Sequence, residues 1–342
     1  FKTRALLRAE APRQRHLYGT VWRQVEVADR ADVEGLAIVD DKSIARECLL
    51  SGATAEVVAA QQIGGRGNGA IAVAMTTQHG SLAASPLSAL GAALALMQAQ
   101  AIQRPAPTAW LLSEGAQVAP VDGSAHSGSW GLSRAARAEA LLPVICIDGP
   151  THLAYARGVS LVEPEIVLLS NENLVPRLVH SPHTTERDTC ATSESHLITG
   201  GTGGLGLLTA RWLAQRGAIS LALASRSGML AREMVSEWEH VQDTNATTLV
   251  QRCDTAETTH AQQVLLVHHN HIPTTGIWHA AGVLADGVLR SQTARSLACV
   301  YAPKMHGAWT LHHGCAGTLL RICALFSSVA ALLGGAGQAN YS

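Results

Sequence analysis

HLITGGTGGLGLLTARWLAQRGAISLALASRSG, from His196 to Gly228, is the stretch on which the fold turns. HLIT is a short apolar run of strand length. GGTGGLG is a glycine-rich turn. LLTARWLAQRG has helical spacing and ends on glycine, and ISLALASR is a second apolar run. Together they form one βαβ unit. In such a unit, glycines make the tight turn, the close approach to a pyrophosphate and the close helix–sheet packing. The helix N-terminus adds free N–H groups and a positive dipole end. The spacing Thr199-Gly200-x-x-x-Gly204-x-Gly206 makes Thr199, Gly200, Gly201, Thr202, Gly203, Gly204, Leu205 and Gly206 candidates for holding a dinucleotide.

The end of the second strand names the dinucleotide. A unit selective for NAD places an acid there to hold the ribose 2′-OH. Here the residues are Ser225, Arg226 and Ser227. An arginine pairs with a 2′-phosphate, so the expected cofactor is NADPH. Cys253 and Asp254 follow the third strand of the series, in QRCDTAE, where a side chain can reach an adenine edge. IWHAAGV is the fourth strand and its turn. Its small residues Ala280, Ala281 and Gly282 let ribose and nicotinamide pass close to the backbone.

Outward from this unit, 342 residues suggest about two domains. The first half alternates apolar runs with helical patterns. LYGTVWRQVEV, GLAIVDD, GAIAVAMT, TAWLLSEGAQV and LLPVICIDG read as strands; PLSALGAALALMQAQAI and WGLSRAARAEA read as helices. This alternation predicts a parallel α/β sheet. EPEIVLLSNENLVPRLV reads as a hairpin, GGRGNG as a loop, and SPHTTERDTCATSES as a polar connector. The expected division is a linker or tail over 1–16, a structural subdomain over 17–195, and a catalytic, NADPH-binding subdomain over 196–342.

A net charge of −1 gives no basic surplus for a nucleic-acid partner. There is no apolar run long enough to span a bilayer, so no membrane partner is expected. The seven cysteines form no CxxC pair and read as reduced, mostly buried cytoplasmic thiols. Of the sixteen histidines, HHNH from His268 and LHHG from Leu311 lack metal-site spacing. They read as solvated histidines at helix ends or in loops, and no metal is expected. His279 sits at a turn, where a backbone role is expected.

Reducing a ketone with hydride requires a proton donor and a hydrogen-bond donor at the oxygen. A tyrosine hydroxyl serves once a neighbouring ammonium favours its phenolate. Here the sequence resembles a known family. TGGTGGLG, SRSG, HAAGVLADGVL, PKMHGAW and FSSVAALLGGAGQANYS are together similar to the ketoreductase domain of polyketide synthases. That domain belongs to the short-chain dehydrogenase/reductase group and is related to the ketoreductase of animal-type fatty acid synthases. LYGTVWRQV, SWGLSRAARAE and the hairpin resemble the family's structural subdomain, so the likeness spans nearly the whole chain after residue 16. It implies an α/β fold of two tandem Rossmann-like subdomains, the first a truncated structural one without cofactor.

The resemblance further implies Tyr341 as proton donor. The family's serine, thirteen positions earlier, falls on Ser328, and its lysine falls on Lys304. A fourth member, an asparagine four residues after the tyrosine, lies past the last residue of the sequence. The expectation is a chain cut inside its active-site helix, short of the later strands and lid. Stereochemical markers point to a D-configured 3-hydroxyacyl product, the B type. Leu333 stands where the A type has tryptophan, Leu284 and Asp286 match two of the B type's Leu-Asp-Asp, and Asn340 precedes the tyrosine; Ala285 and Ala336 depart from the B pattern. The implied activity is NADPH-dependent reduction of a 3-ketoacyl thioester to the 3-hydroxyacyl thioester. The implied partners are an acyl carrier protein, whose phosphopantetheine arm presents the substrate, and neighbouring megasynthase domains. Other readings are a non-catalytic or truncated remnant of a megasynthase and a free-standing short-chain reductase of small ketones.

Overall fold

The computed structural model describes residues 18–26, 36–39, 55–58, 71–74, 86–113, 115–117, 126–150, 163–180, 194–230 and 232–342. For 36–39, 55–58, 71–74 and 269–271 the backbone alone is described. The segments 1–16, GGRGNG and most of SPHTTERDTCATSES lie outside these residues, as do Cys48 and Cys190.

The strands are β1 (Tyr18–Val25), β2 (Leu36–Val39), β3 (Ala55–Val58), β4 (Ile71–Ala74), β5 (Ala109–Ser113), β6 (Val144–Asp148), β7 (Glu165–Leu168), β8 (Asn173–His180), β9 (Ser195–Thr199), β10 (Ser220–Ser225), β11 (Thr247–Arg252), β12 (Gly276–His279) and β13 (Ile322–Leu325). They form two sheets. The first has eight strands in the order β1-β8-β7-β6-β5-β4-β2-β3, and the second five in the order β11-β10-β9-β12-β13.

The second sheet is parallel throughout. Its chain starts in the middle at β9, winds outward to β11, then crosses back to β12. That reversal places a topological switch point between β9 and β12, where doubly wound sheets bind ligands at the carboxyl ends of their strands. Side-chain alternation explains how the sheet is covered on both faces. Ile198, Leu221 and Leu223 pack with Leu207, Ala210 and Leu213 of helix Gly204–Gln215. Their strand neighbours Leu197, Ala222 and Ala224 point the other way, onto Val264 and Leu265 of helix Thr258–His271 and Leu311 of helix Gly307–Gly314.

The first sheet repeats this plan with one strand fewer on one side. β2 is flanked by β3 and β4, and the parallel run continues through β5, β6 and β7. Two findings differ from the sequence reading. AEVV forms β3, a strand the sequence pattern did not single out. The sheet is also mixed. The expected hairpin pairs β7 with β8 antiparallel, and β1 then adds antiparallel to β8 over its whole length, Tyr18 opposite His180. The tandem Rossmann-like α/β architecture stands.

The two units meet in one apolar cluster. Leu289, Leu297 and Ala339 from the second unit join Leu94, Met97, Trp130 and Leu132 from helices Pro86–Ile102 and Ser127–Ala140 of the first. A buried charge cluster lies beside it. Glu165 accepts two bonds from Arg134, at 2.7 and 2.6 Å, and one from Arg137 at 2.5 Å. Paired on both oxygens, Glu165 stays buried as a charge that alone would be costly there.

The reading of the histidine-rich segments needs correction at one described residue. His268, expected to be solvated, is buried. Its Nε2 lies 3.1 Å from Ser195 Oγ and its Nδ1 3.0 Å from Thr274 Oγ1. It faces inward from its helix because three hydroxyls satisfy its ring, Ser220 Oγ being the third at 3.4 Å. His312 and His313 are exposed at a helix end. Among the described cysteines, Cys146, Cys253 and Cys315 are buried, Cys299 and Cys323 are exposed, and all five are free thiols. No helix among the described residues is long and apolar enough to cross a membrane.

Candidate active site

β9 delivers the chain to Gly200 in the left-handed region, at φ 69°. A Cβ there would meet the Ala280 carbonyl at 2.7 Å, so only glycine makes this turn beside β12. Gly206 is the second constrained position, since its Cβ would run into the Gly200 carbonyl oxygen. It lets the helix start directly over the turn. Gly203 caps that helix in extended backbone, leaving first-turn N–H groups free to face a ligand.

These residues form one wall of a cavity of about 790 Å³ at the carboxyl ends of β9, β10, β11 and β12. Gly200 and Thr202 through Gly206 line it. Ser225 and Arg226 stand at the end of β10, Cys253 and Asp254 after β11, and Ala280, Ala281, Gly282 and Leu284 after β12. Arg226 is exposed, with no ion-pair partner among the described residues. Asp254 also accepts the Ala256 N–H at 3.1 Å, so one of its oxygens serves the local turn. Burial and the adjacent Asp254 push the Cys253 thiol up to about 11, which keeps it protonated at neutral pH.

Lys304 and Tyr341 meet at the far end of this cavity. Lys304 sits on a π-helical turn, Ala302–His306, which re-aims side chains relative to a regular helix. Its Nζ donates to the Phe326 carbonyl at 2.9 Å and lies 5.9 Å from the Tyr341 ring centroid. Burial lowers its pKa. An ammonium has three donors, so two remain for the cavity.

Several named residues lie outside the cavity wall. Thr199 turns its hydroxyl to His279, 2.6 Å from Nδ1, and Gly201 is tied inside the turn by its N–H to Ala224. Ser328 caps helix Val329–Leu333, its Oγ accepting from Ala330 N at 3.1 Å. That bond uses a lone pair and leaves the hydroxyl proton free. Asp286 is exposed. Leu333 lines a separate groove beside Arg134 and Arg137. Asn340 donates from Nδ2 to the Ala285 carbonyl at 2.7 Å.

The structure also brings in residues the sequence reading missed: Thr255, Val283 and Pro303 line the same cavity, as does Ser227, which the sequence reading named beside Arg226 without giving it a role. Each neighbours a named residue, so adjacency was the available signal. His279 differs from its expected backbone role. Its Nε2 lies 3.2 Å from the Lys304 carbonyl, which can only accept, so Nε2 carries the proton and Nδ1 accepts from Thr199. The buried ring, its pKa lowered by desolvation, pins the lysine turn to the end of β9.

Residues 194–342 match the KR domain family. The chain is 37% identical over 226 residues to "Chalcone synthase cfoA" of Aspergillus candidus, covering 62% of this chain and 8% of that protein. It is 32% identical over 324 residues to "Polyketide synthase GfsB" of Streptomyces halstedii, covering 90% of this chain and 6% of that protein. The chain thus spans less than a tenth of the length of either relative. Among solved structures, an A1-type ketoreductase superposes with a TM-score of 0.77 at 25% identity, over 95% of this chain and 76% of that one.

Proposed function

Residues 194–342 belong to the KR domain family, and on that premise we propose that this chain reduces a 3-ketoacyl thioester to the 3-hydroxyacyl thioester with NADPH. The observation that carries this reading is the meeting of Lys304 and Tyr341 in a cavity whose other wall is the Gly200–Gly206 turn. The glycine cradle and its helix N-terminus fit a pyrophosphate, and Arg226 at the rim fits a 2′-phosphate. NADPH, when bound, supplies the hydride. The Tyr341 hydroxyl gives its proton to the carbonyl oxygen, and Lys304 favours the phenolate left behind. Ser328 offers its free hydroxyl proton to the same oxygen.

In this reading the substrate rides on the phosphopantetheine arm of an acyl carrier protein. The chain works in the cytoplasm as one domain among neighbours in a megasynthase, 17–195 as structural subdomain and 196–342 as catalytic subdomain. Leu284, Asp286, Leu333 and Asn340 favour a D-configured product. The test is NADPH oxidation by the protein with a 3-ketoacyl thioester. Turnover is expected, and Tyr341→Phe is expected to lower it by roughly 10²–10⁴-fold. Absence of turnover in the unaltered protein, or full activity in Tyr341→Phe, would overturn the reading.

A further inference from the structure

Among the described residues, three side chains of the first unit hydrogen-bond into the second. Gln98 donates to the carbonyls of Leu289 and Gln292 at 3.0 and 2.8 Å. Arg134 donates to the Ala331 carbonyl at 2.7 Å. Glu139 does something different, because its two oxygens are divided between two loops. Oε1 accepts the Leu289 N–H at 2.7 Å, and Oε2 accepts the Gly337 N–H at 2.9 Å.

The first of those loops leaves β12 and carries Leu284 and Asp286 past the cavity rim. The second leads from helix Val329–Leu333 into Tyr341. They also touch each other, Gly287 N–H to the Gly337 carbonyl at 2.8 Å and Asn340 to the Ala285 carbonyl at 2.7 Å. Glu139 therefore stands at the point where the two loops join, on a helix of the cofactor-free unit whose neighbouring turns are packed into the shared core. A carboxylate suits this place because both of its oxygens accept and both partners are backbone donors.

We propose that Glu139 is a positioning residue for Tyr341: it fixes the tyrosine loop against the cavity-rim loop and so sets which face of the bound ketone is reduced. This rests on the ketoreductase reading. The cofactor-free unit then acts in the chemistry without contacting substrate. The glycine-rich turn lies outside the clamp, so cofactor affinity is not expected to depend on it.

The discriminating variant is Glu139→Gln in the full chain. Its amide keeps one acceptor and places an NH₂ against a backbone N–H, releasing one loop without changing side-chain size. The expected result is an NADPH Kd unchanged within about twofold and a kcat lowered roughly 10–100-fold, as for a small misplacement of a reacting group. Some of the opposite 3-hydroxy epimer is expected in the product, and amide hydrogen exchange is expected to be faster over 284–289 and 335–341. Unchanged kcat, product configuration and exchange would overturn the proposal. So would a rise in Kd together with a fall in kcat and thermal midpoint, which signals general unfolding. Gln98→Ala is the control. It loosens the same interface without touching Gly337, and if it reproduced the whole Glu139→Gln pattern, bracing in general would replace the proposal. Should the unaltered protein show no turnover, the ketoreductase reading fails, while the exchange measurement still decides whether Glu139 clamps the two loops.

Discussion

Arg226 separates a residue's identity from its placement. The sequence put an arginine, and no acid, at the end of the second strand of the βαβ unit. The structure sets it at the rim of the cavity, exposed. In the proposed reading it pairs with the cofactor's 2′-phosphate, and a hydrogen bond to a charged group contributes about 1.5–3 kcal/mol. Arg226→Glu is therefore expected to weaken NADPH binding by roughly 10–100-fold, with NADH binding nearly unchanged, as measured by titrating each cofactor. Equal loss for both would show that Arg226 does not read the 2′-phosphate. Lys304 shows the converse. On its own it reads as any surface lysine; only the π-helical turn and the Phe326 carbonyl bring it to 5.9 Å from the Tyr341 ring.

Elements with strong local signals were legible. Helix Pro86–Ile102, helix Ser127–Ala140 and the β7–β8 hairpin follow the apolar spacing and turn chemistry that announced them. β3 was missed because its four residues lack a period of their own and gain strand character by pairing with β2. The helix Ser127–Ala140 ends in a way no sequence pattern indicates. Its C-cap, Leu141, is in the left-handed region at φ 51°, with 86% of its surface exposed. A leucine pays for this conformation with little burial in return, where glycine would adopt it without strain. Leu141→Gly is expected to raise stability by about 1 kcal/mol in denaturant unfolding, with no change in cofactor affinity. A loss of stability would show that Leu141 makes contacts worth more than its strain.

At the scale of the molecule, the amino end of the second sheet carries two buried histidines. His196 is fully buried, and burial together with the neighbouring His268 lowers its pKa to about 4. Trp278 donates to its Nδ1 at 3.4 Å. Glu194 is 3.7 Å from Nε2, beyond hydrogen-bond reach, and its other oxygen is held by Arg321 at 2.7 Å. The unfolded chain takes up this proton near pH 6.5 and the folded chain only near 4. Stability from this group is thus fully present above about pH 6.5 and is lost as pH falls towards 4. The loss is on the order of 3 kcal/mol. Urea unfolding at pH 7 and pH 5 is expected to show a steeper fall in the unaltered protein than in His196→Gln. Parallel behaviour of the two would assign the acid sensitivity to other groups.

The sequence by itself determined the βαβ unit, its glycine turn and the residue types at its strand ends, because these are local. A turn at φ 69° and a helix starting against it leave few residue choices, and those choices are visible as letters. The tertiary structure decided what depends on residues far apart in the chain. It brought Lys304 beside Tyr341, turned Ser328 into a helix cap, buried His268 under three hydroxyls and divided Glu139 between Leu289 and Gly337. A hydrogen bond spanning 198 positions, as between Glu139 and Gly337, leaves no periodic trace. Its partners are set by how the two units pack against each other, and that packing exists only once the chain has folded.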